Sequence, residues 1–175
     1  INVQTGASAT SPIKRTLQSR LDEIVNIRSF GAMGDGTDQT IAIQRALDQL
    51  FLNTATKGTE QSRVTLHVPA GVYKINSTLY IPPFATIKGD GPNKTKFIMT
   101  GNAVAMKTVN SSSTPGNYAD DSSSTADNQA IGINLSGFTL QTASTTQPAM
   151  DLTTVKNSMF HMIQITGTFT TGDTI

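Results

Sequence analysis

The chain has 175 residues, of which 37% are hydrophobic and 14% charged, and its formal net charge is +1. The hydrophobic content is enough to close the core of one folded unit, while the small net charge argues against nucleic acid or an anionic membrane as a partner. Cysteine is absent, which excludes disulfides and Cys-ligated metals. No stretch has the apolar run that a membrane span needs, so we expect no membrane insertion.

Residues 1–12 are small and polar with no regular pattern, which predicts a linker. From Ile13 to Ile27 apolar residues recur at helical spacing between charged ones, which predicts a short amphipathic helix. Such a helix cannot bury its apolar stripe alone, so it should pack on the next domain or on copies of itself. The chain begins with Ile and stops within a strand-and-turn pattern, so we expect it to be truncated at both ends.

Residues 25–30 alternate between apolar and polar and lead into a glycine-rich segment, which predicts a strand and then a tight turn. Gly31, Gly34 and Gly36 do not form a phosphate-binding loop, because their order is GxxGxG and no Lys-Ser/Thr pair follows. Asp38 offers a helix cap, and the apolar stripe after it predicts a helix over about 39–52.

A series of short alternating runs follows a polar loop at 57–62 and predicts many short strands, as in a sandwich, barrel or solenoid. A solenoid is favoured because the sequence INLSG at 133–137 recurs as IQITG at 163–167, thirty residues later, and IKG at 87–89 ends similarly. The serine-rich residues 111–128 should form a loop that leaves the coil surface. The predicted strands are 64–68, 72–75, 79–81, 85–87 and 97–99.

Three segments resemble one protein family. Residues 25–44, VNIRSFGAMGDGTDQTIAIQ, resemble the start of pectate-lyase-like β-helices, which read as a strand, GAxGDG, Asp and Thr, and an AIQ helix. The resemblance continues through VPAGVY at 68–73, similar to a PAGxY turn, and IKGDGP at 87–92, similar to a GxG coil turn. The chain departs from the family at Gln39, where a second Asp is usual, and lacks a further residue before the acidic pair. Upstream, RTLQSRLDE at 15–23 resembles the neck that precedes the β-helix in many bacteriophage tailspikes.

The resemblance implies an all-β fold, a right-handed single-stranded parallel β-helix with an N-terminal capping helix and a short upstream neck helix. Residues 1–26 would form the linker and neck, and 27–175 the start of the β-helix domain. The resemblance also implies a homotrimer that is made in the host cytoplasm, resides in the virion and meets phage tail or baseplate proteins through its N-terminal region. The leading function is attachment to bacterial capsule or lipopolysaccharide, with glycan depolymerisation by the full-length protein.

Other functions remain open. A secreted bacterial polysaccharide lyase or glycoside hydrolase would have a signal peptide upstream and no neck helix. A non-catalytic structural or adhesion spike would carry no paired carboxylates on any later coil. A β-sandwich carbohydrate-binding module would have antiparallel strands and no capping helix.

Glycan hydrolysis needs two carboxyl groups at a defined separation. Asp151 lies on a predicted strand and could point outward, whereas Asp120 and Asp121 are neighbours in a polar loop, a poor place for fixed geometry. Asp127 and Asp173 are the other acidic residues without a simple structural role. The rest read as solvated helix and loop charges or as turn and cap residues, among them Asp35, Asp38 and Asp90.

Basic and aromatic residues give no stronger site. His67 and His161 lie in strands with no ligand-spaced partner, and Lys156 lacks the acidic cluster that a lyase would need. Tyr118 could contact a sugar but is more simply a loop-packing residue. We therefore assign no catalytic, cofactor-binding or metal-binding residue within 1–175. By the family resemblance, the catalytic carboxylates of the full-length protein are expected on later coils or between subunits.

Overall fold

The structure, a computed structural model, describes residues 2–3, 13–14, 16–17, 24–51, 65–118, 130–153 and 155–167. It contains a 3-10 helix at Ile27–Phe30 and helix α1 at Thr40–Asp48, and Leu17 is also helical. The strands are β1 (Asn2–Val3), β2 (Ile13–Lys14), β3 (Ile24–Asn26), β4 (Asp35–Asp38), β5 (Thr65–Val68), β6 (Gly71–Ile75), β7 (Leu79–Ile81), β8 (Thr86–Gly89), β9 (Thr95–Met99), β10 (Met106–Thr108), β11 (Asn134–Thr142), β12 (Met150–Asp151) and β13 (Met159–Gly167).

Mostly parallel strands curl around a shared interior. The large sheet has the order β3-β5-β8-β11-β9-β6-β4, and β13 also pairs with β11. The first half of β11 pairs with β8 and its second half with β9, so β11 joins a first arm (β3, β5, β8) to a second arm (β4, β6, β9). The small sheet has the parallel order β12-β10-β7. The chain visits the first arm, the second arm and the small sheet in turn and then returns to the first arm.

A sharp bend turns β11 from the first arm into the second. The bend lies at Gly137, whose φ of +76° is easily adopted by glycine. The backbone of Gly89, on the neighbouring strand β8, lies directly against it, since a Cβ on Gly137 would be 2.5 Å from the Gly89 carbonyl oxygen. In β13 the corresponding position is Met162, with φ +53°. Two successive strands therefore bend at the same place.

Side chains that point inward stack in register and form the core. Tyr73 pairs with Phe97, and Phe97 with Leu140, and none of the three is more than 1% exposed. Phe97 also meets Phe138 edge to face, with the ring centroids 5.4 Å apart. These contacts hold neighbouring strands together mainly through burial of apolar surface. An equivalent row in the first arm consists of Leu66, Ile87 and Leu135.

Helix α1 covers one end of this core, as predicted, although it spans Thr40–Asp48 rather than 39–52. The Asp38 carboxylate accepts hydrogen bonds from the backbone N–H (3.1 Å) and hydroxyl (2.7 Å) of Thr40, which fixes the start of the helix. The helix buries Ile43 and Leu47 over the interior, where the remaining void is only about 10 Å³. The cap therefore closes the end of the sheets against solvent.

The N-terminal predictions are partly wrong. Ile13–Lys14 pairs antiparallel with Asn2–Val3, and Ile24–Asn26 is a strand of the first arm, so the helix predicted from Ile13 to Ile27 is absent at 13–14 and at 24–26. Within its middle Leu17 is helical, and residues 15 and 18–23 lie outside the described residues. The predicted strand at 25–30 ends at Asn26 because its side chain accepts a hydrogen bond from Arg28 N–H (2.9 Å) and caps the 3-10 helix. The predicted turn at 31–36 already includes the start of β4.

The short strands after the loop are confirmed at all five predicted places, with small shifts in their ends. The stacking of LSG at 135–137 on IKG at 87–89 is also confirmed by the register of β8 and β11. The thirty-residue repeat is wrong, because Phe138, not Ile133, pairs with Ile163. The predicted loops at 57–62 and 111–128 lie wholly and partly outside the described residues.

Candidate functional site

A groove of about 270 Å³ opens between helix α1, strand β7 and the segment that carries Tyr118. We call it the tyrosine groove. It combines two tyrosine rings, a carboxylate, a guanidinium group, an amide and three aliphatic hydroxyl groups. Its lining residues are Thr40, Ile41, Gln44, Arg45, Asp48, Ser77, Thr78, Tyr80 and Tyr118.

Two tyrosines stack in this groove. The ring centroids of Tyr80 and Tyr118 are 4.1 Å apart and their planes differ by 13°. Phe51 supports Tyr118 from another side, with centroids 5.6 Å apart. The Tyr118 hydroxyl donates to Asp48 Oδ1 (3.0 Å). Tyr118 thus anchors its loop, as the sequence predicted, and also presents a preformed aromatic surface.

Helix α1 contributes the polar side of the groove. Gln44 and Asp48 are four residues apart and therefore lie on one helix face, where Gln44 Nε2 donates to Asp48 Oδ1 (2.9 Å). Gln44 Oε1 accepts from the backbone N–H of Tyr80 (2.9 Å), which ties the helix to β7. Burial is the main cause that raises the pKa of the Tyr118 hydroxyl, and the nearby Asp48 carboxylate adds to it. The hydroxyl therefore stays protonated and remains a donor to Asp48.

Strands β10 and β12 of the small sheet extend this polar surface beyond β7. Its outer positions Tyr80, Lys107 and Asp151 are in register on β7, β10 and β12, with neighbouring strands about 4.8 Å apart. Lys107 Nζ lies 3.2 Å from Asp151 Oδ2. Burial alone would raise the pKa of Asp151, but hydrogen bonds from Thr153 and Lys107 outweigh it and hold this pKa below its usual value. Asp151 is therefore a carboxylate with fixed partners.

Residues 24–175 match the family model described as rhamnogalacturonase A/epimerase, pectate lyase-like. The chain belongs to this pectate lyase-like family. The match covers the whole of the large and small sheets and includes the residues of the tyrosine groove. It confirms the family to which the three sequence segments pointed.

Two relatives of this pectate lyase-like chain are a phage-related bacterial protein and a fungal enzyme. It is 35% identical over 75 residues to the phage-related protein YobO of Bacillus subtilis (strain 168), covering 43% of this chain and 8% of that protein. It is 34% identical over 84 residues to a glucan 1,3-beta-glucosidase of Cochliobolus carbonum, covering 47% of this chain and 9% of that protein. The chain thus spans less than a tenth of the length of these two relatives.

Among solved structures, ORF18 of Geobacillus virus E2 has a similar fold. The TM-score is 0.50 at 21% sequence identity, and the alignment covers 86% of this chain and 25% of ORF18. At this identity the likeness concerns the fold, in which parallel strands curl around a common core.

The pectate lyase-like fold also gives His67 a partner that sequence reasoning missed. His67 Nε2 lies 2.8 Å from Asp90 Oδ1, and Asp90 Oδ2 accepts from the backbone N–H of Ala70 (2.9 Å). His67 has no ligand-spaced partner in the sequence, but the fold brings a distant carboxylate to it. Asp90 is 23 positions away in sequence, and only the pairing of β5 with β8 brings the two together. Both side chains are about one third exposed or more, and they lie on the first arm, away from the tyrosine groove.

The remaining residues considered from the sequence do not join a site. His161 and Lys156 are exposed on or beside β13, and Lys156 donates its backbone N–H to Ala130 O (2.9 Å). Asp35 and Asp38 accept hydrogen bonds from nearby residues, as expected for structural roles, although both lie in β4 and the N-cap position of helix α1 is Gln39 rather than Asp38. Within the described ranges, no group of three or more metal-ligating side chains is found, and no helix is long and apolar enough to cross a membrane. Asp120, Asp121, Asp127 and Asp173 lie outside the described residues.

Replacing Asp90 by Asn should make stability less dependent on pH in acid. The hydrogen bond to His67, followed by that from Ala70 N–H, lowers the pKa of Asp90 below its ordinary value of 3.8. A lowered pKa in the folded state stabilises the protein above the unfolded-state pKa, and this contribution is lost as the pH falls through the folded pKa. Asp90→Asn should therefore be less stable than the wild type near neutral pH, with the difference shrinking below about pH 4.

Thermal unfolding of both proteins across this pH range measures the effect. The matched comparison is Asp90→Asn in a His67→Gln background, where the largest cause of the lowered pKa is already absent. A melting-temperature difference that stays constant with pH, or one unaffected by His67→Gln, would contradict the assignment.

Proposed function

We propose that this chain is the opening section of a right-handed, single-stranded parallel β-helix in a phage tailspike. The repeated passage through first arm, second arm and small sheet supports a coil, and parallel crossovers within one sheet are right-handed in nearly all proteins. Helix α1 would be the N-terminal cap, and residues 1–26 the linker and neck that precede the β-helix domain. The similarity to YobO and to the fold of ORF18 supports a phage origin.

We further propose that the tyrosine groove binds host-surface polysaccharide, with capsule or lipopolysaccharide as the receptor. The observation that carries this proposal is the stacked pair of Tyr80 and Tyr118 beside the polar groups of Gln44, Arg45 and Asp48. Sugar rings present apolar C–H faces that pack on aromatic rings, and their hydroxyls pair with carboxylate, guanidinium and amide groups. A preformed groove loses little entropy on binding because its rings are already ordered.

Cleavage of the glycan is proposed for the full-length protein. On the groove side, both described carboxylates already have partners, Asp48 with Gln44 and Tyr118, and Asp151 with Lys107. Such engaged carboxylates suit recognition better than the acid and nucleophile roles of a glycosidase. The fungal glucan 1,3-beta-glucosidase supports a second candidate, a secreted polysaccharide-degrading enzyme. A spike that binds without cleaving is the third.

The proposed oligomeric state and attachment to the tail follow from the tailspike hypothesis. The protein would form a homotrimer, attach through its N-terminal region to phage tail or baseplate proteins, and reside in the virion after synthesis in the host cytoplasm. The exposed apolar residue Ile24, at the start of the first arm, suits a contact with the preceding segment or a neighbouring subunit.

The deciding experiment incubates the full-length protein with capsule and lipopolysaccharide from the phage's host and measures binding, new reducing ends and unsaturated uronate absorbance. We expect saturable binding. Reducing ends alone would indicate a hydrolase, uronate absorbance a lyase, and binding with neither product an adhesion spike. Polysaccharide from an unrelated bacterium is the control. Absence of binding to the host's polysaccharides would overturn the proposed function.

A further inference from the structure

A second groove, of about 290 Å³, is lined by the turns that lead from β9 to β10 and from β11 to β12. Among the described residues, those that line it supply hydroxyl, amide and backbone groups and include neither a charged nor an aromatic side chain. We call it the hydroxyl groove. Its lining residues are Thr100, Gly101, Asn102, Ala143, Ser144, Thr145 and Thr146.

Hydrogen bonds hold the polar groups of this groove in place. Asn102 Oδ1 accepts from Ser144 Oγ (2.8 Å) and Thr146 Oγ1 (3.0 Å). Ser144 is only 8% exposed, and its Oγ also accepts from the backbone N–H of Gln147 (2.9 Å). The Asn102 side chain is therefore fixed through its oxygen.

The nitrogen of the same amide is available to a ligand. Asn102 Nδ2 carries two donor hydrogens, and no residue in the described part of the chain accepts from them. Asn102 is exposed at the groove, so these donors meet solvent or whatever occupies the groove. A fixed, unpaired amide donor beside several hydroxyls matches the acceptors and hydroxyls of an uncharged sugar.

The hydroxyl groove and the tyrosine groove are lined by neighbouring turns, the turn at 76–78 and the turn at 100–102. Thr100 donates its backbone N–H to Ile75 O (2.8 Å), and Gly101 lies so close to Asn76 that a Cβ would be 2.2 Å from the Asn76 carbonyl oxygen. Ser77, next along that turn, lines the tyrosine groove. The two walls are therefore offset by about one strand spacing, roughly 4.8 Å. One extended glycan chain can contact both.

We infer that the hydroxyl groove is a second subsite of the polysaccharide site, specific for an uncharged sugar unit such as a hexose or an N-acetylhexosamine. The inference rests on the proposed function, because the same glycan occupies the tyrosine groove. The polymer runs along the stack of coils, with one unit beside Tyr80 and Arg45 and a following unit on the Asn102 amide. Linking two weak subsites in this way raises the affinity for long chains over that for short ones.

Asn102→Asp in the full-length protein tests the subsite. This change keeps the oxygen that accepts from Ser144 and Thr146 but removes the two Nδ2 donors. The matched control is Asn93→Asp, which adds the same charge at an exposed turn position between β8 and β9. Ala143→Gln is a second variant that fills the groove with bulk from an exposed position and leaves the Asn102 hydrogen bonds intact. Melting temperatures check that each variant folds.

The probes are oligosaccharides released from the host's lipopolysaccharide or capsule, from one repeating unit to several. We expect both variants to weaken binding of the long oligosaccharides about tenfold, with little change for the shortest. Asn102→Asp loses the donors that the glycan would cover, and Ala143→Gln occupies the space of the sugar unit. Equal affinities of Asn102→Asp and Asn93→Asp at every length would overturn the subsite while leaving the proposed function intact. If the wild type binds none of the oligosaccharides, both proposals fail.

Discussion

Gly89→Ala is expected to lower the free energy of unfolding by about 3 kcal/mol, the upper range for an overpacked site. An added Cβ would lie 2.2 Å from the carbonyl oxygen of Gly137 and 2.9 Å from its carbonyl carbon. These are backbone atoms of the neighbouring strand β11, and they cannot move aside easily because Ile87 and Leu135 fix the same two strands in register. The overlap must therefore separate β8 from β11 at the bend that joins the two arms.

Gly116→Ala is the matched control for this substitution. Gly116 has φ +80°, and nothing lies within 4 Å of a Cβ built on it. The free energy of unfolding of Gly116→Ala should fall by only about 1 kcal/mol, the cost of placing alanine in a left-handed backbone conformation. Urea denaturation of both variants, followed by circular dichroism, compares the two costs. Equal losses of unfolding free energy in the two variants would contradict the prediction, because the close approach of β8 and β11 at Gly89 would then add nothing to the cost of the substitution.

The position of these glycines shows how far the sequence predicted the fold. The motif pair IKG and LSG correctly predicted that Ile87 and Leu135 lie on neighbouring strands, because each motif has an apolar residue two positions before a glycine. A constant thirty-residue period was wrong, since Asn134 pairs with Met159, 25 positions later, but with Thr86, 48 positions earlier. The loops between the paired strands differ in length, so the strands pair regularly although their spacing in the sequence varies.

The candidate site was harder to predict for the same reason. Tyr118 and Asp151 were recognised as candidates individually, but Tyr80 and the helix residues Gln44 and Asp48 were not. Tyr118 and its hydrogen-bond partner Asp48 are 70 positions apart, and no short motif links them. Their contact depends on where a loop after β10 folds back over helix α1, which only the three-dimensional path of the chain determines.

Tyr80→Ala should have the largest effect on glycan binding, a loss of about thirtyfold in affinity, or about 2 kcal/mol. Tyr80 contributes the ring on which Tyr118 stacks, and it is the member of the small sheet's outer row that lines the tyrosine groove. Removing it deletes one aromatic surface and leaves the other without its stacking partner. The contacts of Tyr118 with Asp48 and Phe51 remain, so the loop that carries Tyr118 should stay attached.

Tyr80→Phe separates the ring from its hydroxyl. It keeps the stacking geometry and should bind the host's polysaccharide within about threefold of the wild type, because the ring supplies most of the contact area. Calorimetric titration of the full-length variants with host oligosaccharides measures both changes, and melting temperatures establish that both variants are folded. If Tyr80→Ala binds as tightly as Tyr80→Phe, the tyrosine stack only packs a loop onto the helix, and the glycan must bind on another surface of the protein.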